Sequence, residues 1–270
     1  MRSLAIVYVG FLVIAPLCAL AQRLRPSAVP APRVLSRARR VDWLYWLVTP
    51  LGTGFLTRAA TLTFAALVAL ALGLGDLTAL LDVFHARSPL PFGRWPLLVQ
   101  FATAIVIADF VSYWSHRARH HARFFPLHAI HHSARELDWL AAARMHPLDD
   151  LVDNVAVTLP ILLLGFDPRV FVAIGPALLL HTLYLHSAVR LSLGPLRYVI
   201  ATPDFHRWHH AIEREAQGSN FGGVLAIWDV MFGTFRMPRD RVPDAFGVEP
   251  PIDDSARAQL VRPLDRVIRA

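Results

Sequence analysis

The chain has 270 residues, 55% apolar and 17% charged, and its mean hydropathy is positive. A soluble domain carries about 25% charged residues, so a water-soluble globule is excluded in favour of a polytopic membrane protein. The single cysteine excludes an internal disulfide framework and any thiolate-based metal or redox motif. The formal charge is +7 and every basic residue is arginine; these arginines flank apolar runs, which points to membrane orientation and away from nucleic acid.

In chain order, residues 4–21 form an apolar run behind Arg2. Ala19-Leu20-Ala21 has the small-x-small form of a signal-peptide cleavage site. The arginines that follow (Arg23, Arg25, Arg33, Arg37, Arg39 and Arg40) favour an uncleaved span whose basic flank stays in the cytoplasm. Residues 26–33 read as a Pro-rich linker. Residues 43–57, broken by Pro50, Gly52 and Gly54, are expected to form an interfacial or re-entrant segment. Residues 59–82 and 96–115 are expected as full spans joined by an external loop at 84–95. A second apolar pair, 151–165 and 169–187, surrounds Gly165-Phe166-Asp167-Pro168, and the polar tail after 235 is expected to wrap the surface. No solenoid-type repeat and no low-complexity tract interrupts this plan.

The chain has 13 histidines, 12 of them between 116 and 210. His116 and His120 are four apart, so on a helix they share a face. Tyr113 and Asp109 continue the same stripe into the membrane. An ionisable group at that depth needs a partner, and Asp109 is expected to accept a hydrogen bond, directly or through Tyr113, from the ring of a metal-bound histidine. His128-x-x-His131-His132 repeats the one-face spacing, and His206-x-x-His209-His210 repeats it again. A lone histidine is usually a satisfied core or surface imidazole. Three clusters at the ends of apolar spans have one economical explanation, a nitrogen-rich metal site, and eight ligands exceed what one ion needs. Imidazole suits Fe, Zn, Cu and Ni alike, so the residues alone do not choose the metal.

His186 and His146 follow apolar segments that can bring them back to the cluster. His181 is five residues before His186 and points about 140° away on a regular helix, so it is a ligand only if the helix is irregular. His121 is out of phase and His85 lies in the external loop. The expected fold is all-α: a polytopic membrane helical bundle with a cytosolic histidine-rich cap holding a dimetal site. Three regions follow: N-terminal spans and a basic linker over 1–95, a catalytic region over 96–238 and a polar tail over 239–270.

From about 96 to 238 the chain resembles the fatty acid hydroxylase/sterol desaturase superfamily. The resemblance rests on Asp109, Tyr113-Trp114, HxxxH at 116–120, HxxHHS at 128–133, Asp138-Trp139-Leu140, Arg144 and His146-Pro147. It continues through His186-Ser187, Val189-Arg190-Leu191, Thr202-Pro203, HRWHH at 206–210, Asn220-Phe221-Gly222, Trp228-Asp229 and Phe232-Gly233-Thr234. Ala188 departs from the pattern, since members often carry Asn there, and this puts one hydrogen bond near the metal in doubt.

The resemblance implies a pair of iron ions held by histidines, with O₂ as co-substrate and two electrons used to hydroxylate or desaturate a C–H bond of a sterol, fatty acyl or related lipid. Asn220 joins Asp109 and Tyr113 as a residue supporting the ligands, and Trp139 and Trp208 line or cap the substrate pocket. Arg207 is expected to pair with Asp204 or Asp229. Arg117 and Arg119 form a solvated face, or meet lipid headgroups or an electron donor. No nucleotide fingerprint or haem-binding domain is visible, so the electrons come from a separate reductase, ferredoxin or cytochrome. The arginine-only basic set suggests a GC-rich bacterial genome and hence an inner-membrane protein with its histidines in the cytoplasm. The competing reading is a histidine-lined metal transporter or non-catalytic metal-binding protein, but a transporter places its ligands at the bilayer midplane.

Overall fold

The computed structural model describes residues 2–27, 39–71, 73, 79 and 92–269. The expected loop residues 84–91, His85 among them, most of the linker and most of residues 72–82 lie outside these. The described residues are helical, with no named strand and only isolated bridges, Pro26 with Val189 and Ala211 with Phe246. In chain order the α-helices are α1 (Arg2–Leu24), α2 (Arg40–Leu51), α3 (Thr53–Ala71), α4 (Leu97–Arg119), α5 (Phe125–His132), α6 (Pro147–Leu163), α7 (Pro168–His186), α8 (Pro203–His209), α9 (Ile227–Met231) and α10 (Arg262–Arg269).

Among the described residues, α3, α4 and α7 are long and apolar enough to cross a membrane. Large apolar side chains such as Leu67, Leu70, Leu98 and Val172 stand exposed on them, which is expected of helices whose solvent is lipid. The core where α4 and α7 meet α6 is small-into-large packing: Ala104 and Ala108 of α4, one turn apart, admit Ile161, Phe166, Val170 and Ile174.

Turn chemistry decides which end of the bundle becomes the site. Gly165, at φ +72°, closes α6 in the left-handed conformation a helix C-terminus favours. Two residues on, the Asp167 side chain accepts the Arg169 N–H at 2.8 Å and Pro168 starts α7. Gln100 of α4 accepts the Asp167 N–H at 2.9 Å and so ties this turn to the start of α4. With α6 and α7 reversed there, the end of α4, the start of α6 and the end of α7 come together at the opposite end.

That end carries a cap built from α5, a 3₁₀ turn at Trp139–Ala143, α8 and α9. The segment expected to be interfacial or re-entrant divides into α2 and the start of α3, and α2 lies against the cap: Tyr45 packs on Ile130 and the Trp46 indole donates to Leu140 O at 2.8 Å. Asp42 of α2 accepts from Arg144 at 2.7 Å. The end of α1 is clamped to the chain just after α7, where Gln22 accepts the Ala188 N–H at 2.9 Å and Arg190 N–H donates to Arg25 O at 2.9 Å. Gln22 thus supplies a hydrogen bond beside the position where Ala188 breaks the family pattern. The expected surface tail is instead partly folded: residues 257–261 make a wide helical turn that buries Ala258 and Gln259, and Gln259 meets the Tyr45 hydroxyl.

Candidate metal centre

Each HxxHH motif divides its rings the same way. His128 and His132 of α5, four apart, join His116 and His120 at the end of α4 and His209 of α8 in one group. His206 and His210, again four apart, join His131 of α5 and His186 of α7 in the other. In both motifs the i, i+4 pair serves one group and the i+3 ring serves its neighbour, because on a helix the third residue falls on the other side of the shared stripe. Within each group the candidate ligand nitrogens lie within 4.8 Å of one another. Thr202 caps α8 by accepting the Phe205 N–H, and Pro203 opens it, so this seven-residue helix starts in register to present all three of its rings.

The hydrogen bonds fix which nitrogen of most rings carries the proton. The Nδ1–H of His116 donates to Phe221 O (2.9 Å), that of His209 to Ser219 O (2.7 Å) and that of His131 to Arg144 O (3.0 Å). His186 donates to Thr182 O at 2.9 Å and His128 to an Asp149 carboxylate oxygen at 2.8 Å. A neutral ring that donates through Nδ1 has only a lone pair at Nε2. Yet the Nε2 atoms of His116 and His128 face each other at 3.0 Å, and those of His131 and His186 at 3.2 Å. Two lone pairs at that distance repel; His186 Nε2 also meets His206 Nε2 at 3.1 Å and can accept its proton, whereas the facing lone pairs of His116 and His128 have no such relief. A cation between them would supply it. The Nε2 atoms of His120, His132 and His209 are buried with no hydrogen-bond partner, a costly arrangement that a metal ion would satisfy.

Burial keeps the rings neutral, the form that ligates metal. It holds the imidazoliums of His120, His128, His131, His132, His206 and His210 well below their ordinary range, helped by neighbouring cationic groups. It brings His209 down to about 4. The donor set therefore fits metal ions in both groups.

The eight histidines of the three sequence clusters all fall in these groups, and so does His186. His146 and His181 do not. His146 caps α6, its Nδ1 accepting the Leu148 N–H and its Nε2 meeting Leu260 O at 3.1 Å. His181 Nε2 meets Gly223 O at 3.0 Å, because α7 is regular and turns this ring away from His186. His121 is exposed.

Asp109 does not touch a histidine. It accepts from Val224 N, Leu225 N and Trp228 Nε1 at 2.6, 2.8 and 2.9 Å. The Tyr113 hydroxyl meets Thr234 at 2.9 Å. Both residues hold the 219–235 loop, which packs over their stripe and leaves no room for a direct bond to a ring. That loop carries the Ser219 and Phe221 carbonyls on which His209 and His116 rest. Asn220 lies between them at φ +58°, a left-handed conformation that Asn tolerates. Its amide donates to Phe205 O and Arg236 O and accepts from Arg236 N, so the two carbonyls project at fixed positions. Asp229 accepts from Phe221 N at 2.7 Å and Gly222 N at 2.8 Å. A Cβ at Gly222 would lie 2.5 Å from Leu225 O, so only glycine passes this point.

The carboxylate that does reach a ring is Asp149, in the first turn of α6. It bonds His128 and pairs with Arg119 at 3.1 Å. Sequence reasoning missed it; the available signal was an Asp-Asp pair one residue after His146-Pro147. Arg119 is consequently buried and also paired with Asp153 at 2.8 Å, and it forms no solvated face. Arg117 donates to the Tyr113 hydroxyl and lies over the Trp114 ring. Arg207 pairs with Asp204 at 3.6 Å and donates to Ser187 O, while Asp229 is occupied by the loop. Trp139 is buried edge-on against Trp46. Trp208 is buried against Ala211 and Ala216 under the Arg241 guanidinium.

A helical membrane bundle ending in two adjacent all-imidazole groups defines a class, a polytopic protein with a histidine-built site able to hold metal. The fatty acid hydroxylase family model matches residues 101–234. The chain belongs to the fatty acid hydroxylase/sterol desaturase superfamily. It is 34% identical over 174 residues to an ornithine lipid hydroxylase of Rhizobium tropici, a match covering 64% of this chain and 53% of that one. It is 29% identical over 209 residues to human alkylglycerol monooxygenase, covering 76% and 44%. A rice very-long-chain aldehyde decarbonylase is 29% identical over 163 residues, covering 55% and 57%. The matches thus span about half the length of these relatives. No solved structure gives a significant match.

Proposed function

We propose that this protein is an integral membrane di-iron oxygenase that uses O₂ and two external electrons to hydroxylate or desaturate a C–H bond of a lipid. The observation that carries the reading is the facing of Nε2 lone pairs, His116 against His128 and His131 against His186, inside two groups of neutral rings. His116, His120, His128, His132 and His209 would hold one ion, and His131, His186, His206 and His210 the other. When bound, the iron pair supplies the O₂ reduction and hydrogen abstraction that no side chain can perform. The overall balance for hydroxylation is one C–H, O₂, two electrons and two protons giving one C–OH and water.

The chain's own residues do the rest. Phe221 O, Ser219 O, Arg144 O, Thr182 O and Asp149 hold five Nδ1 protons, so each of those rings turns Nε2 toward the other rings of its own group. Asp109, Tyr113, Asn220 and Asp229 hold the loop that carries two of those carbonyls. The buried cap excludes water from the rings, and the spans beneath it give a lipid access from the bilayer side. The hydroxylase and monooxygenase relatives act on lipids by name, which supports a lipid substrate here. The electron donor is a separate reductase, ferredoxin or cytochrome. The site faces the cytoplasm, in a bacterial inner membrane. The rings sit at the ends of α4 and α7, not at mid-span, which favours the oxygenase over a transport path.

The test is lipid profiling by mass spectrometry of cells with and without the protein, together with iron determination on the purified chain. A lipid shifted by one oxygen or by two hydrogens, with bound iron, is the expected result. A purified wild-type chain that binds no iron would overturn the assignment.

A further inference from the structure

The face of α4 opposite Asp109 and His116 borders a second feature that the metal centre does not use. A cavity of about 560 Å³ lies between α4, α5 and α6, lined by Phe110, Trp114, Leu127 and Val152, with Arg119 and its partner Asp149 at one end. No histidine lines it. Its wall is almost wholly apolar, and Phe110, Trp114 and Val152 are exposed at its rim. Phe110 and Arg119 are nine residues apart on a membrane-spanning helix, so the hollow runs about 14 Å along it. Arg119, at the end of the span, is 7% exposed. Its two terminal nitrogens are taken by Asp149 and Asp153, but its Nε–H is buried and has no partner. A buried donor left unmade is costly.

We propose that this hollow is a binding site for a bilayer phospholipid, separate from the place where the lipid substrate reacts. One acyl chain fills the apolar trough between α4 and α6, and an ester or phosphate oxygen of the same lipid accepts the Arg119 Nε–H. The geometry matches an ordinary bilayer lipid: the polar recognition point is at the end of the span and the apolar trough runs from it toward mid-membrane. A polar ligand from solution would find no wall to recognise it, and a reacting lipid would need histidines within reach of the chain. The site adjoins the centre at its polar end, where Asp149 pairs with Arg119 on one side and holds His128 on the other, and Arg119 Nη1 lies 3.4 Å from His128 Nδ1.

The test uses the full chain reconstituted in nanodiscs of phosphatidylcholine and phosphatidylglycerol in equal parts, then released into detergent for native mass spectrometry. The wild type is expected to keep a phospholipid adduct. Ala118→Trp, at an exposed position lining the hollow, is expected to lose it while keeping bound iron and helicity. Arg119→Lys, which keeps the charge and removes the Nε–H, is expected to weaken retention several-fold. An adduct of equal intensity in Ala118→Trp would overturn the site, as would a wild type with no adduct. A dimer in place of the adduct would assign the hollow to a second copy of the chain and equally overturn it. Iron content is read on the same samples, so loss of the adduct with iron retained separates this proposal from the oxygenase reading.

Discussion

The two imidazole groups share helices α5 and α8 but are braced in different ways. In the five-histidine group, three rings rest on acceptors outside their own helices: Phe221 O, Ser219 O and the Asp149 carboxylate. In the four-histidine group, His186 rests on Thr182 O one turn back on its own helix, and His131 on Arg144 O. His206 and His210 leave Nδ1 buried without a partner. The first group is therefore held by tertiary contacts that can be loosened one at a time. The second has one brace within its own helix, one from Arg144 outside α5, and two rings held by burial, so it has fewer external props to remove.

Removing a ligand should have the largest effect and should fall on both groups alike. His209→Ala and His131→Ala are each expected to lower bound iron and abolish turnover, read by metal analysis and lipid product. His131→Ala with wild-type iron would undo the ligand assignment. Removing a brace should separate the groups. Asp149→Asn keeps the shape but removes the charge facing His128, and changes of this kind typically weaken metal affinity about 10- to 100-fold. The loss should be confined to one ion of the pair, read as two phases of iron release to a chelator. A single phase shared by both ions would show that the groups are not independently held.

A smaller effect on metal and a larger one on the fold are expected from Asp109→Asn. It acts two steps from the rings, through the loop whose carbonyls hold His116 and His209. The substitution turns an amide NH₂ toward N–H groups that the carboxylate accepted, at a cost of about 2–3 kcal/mol for a buried hydrogen bond to a charged acceptor. The expected result is a lowered unfolding midpoint in detergent with reduced activity. Unchanged activity and stability would remove Asp109 from the support of the site.

The sequence carried the ligands more clearly than their supports. Spacing of three and four on a helix is a local property, so the eight clustered rings could be read before any fold was known. His186 could be placed because a span ends there. The spans themselves followed from hydropathy, but their limits moved with the caps: α4 runs on to Arg119, which carries His116 on its last turn, and α6 begins at Pro147, which brings Asp149 to the cap. The supports were misread because they depend on which segment returns to which face. Asp109 lies on the histidine stripe, and the stripe alone suggests a partner on the same helix. The loop at 219–235, more than 100 residues later, takes that carboxylate instead. Asp149 reaches His128 because α6 starts within the cap, at Pro147, and its first turn faces α5. The burial of Arg119, for which the sequence suggests a solvated face or a contact with headgroups or an electron donor, is hidden in the same way, since neither acid that pairs with it is near in sequence.

His146 gives the smallest effect and the sharpest test of reading a histidine by its neighbours. It sits three residues before Asp149 and next to a proline, and sequence reasoning counts it among candidate ligands. In the structure both ring nitrogens meet backbone groups, Leu148 N at 3.2 Å and Leu260 O at 3.1 Å, and the residue occupies the N-cap of α6. Asparagine is among the best N-cap residues and can accept the same Leu148 N–H. His146→Asn is therefore expected to leave iron content and turnover at wild-type levels. It should lower stability by only about 1 kcal/mol, from the lost contact to Leu260 O. A ligand replaced by Asn would instead cost an ion, so a drop in bound iron in this variant would return His146 to the metal. It would also mean that the cap rearranges around the ions, and the contrast between the more and the less braced group would have to be redrawn.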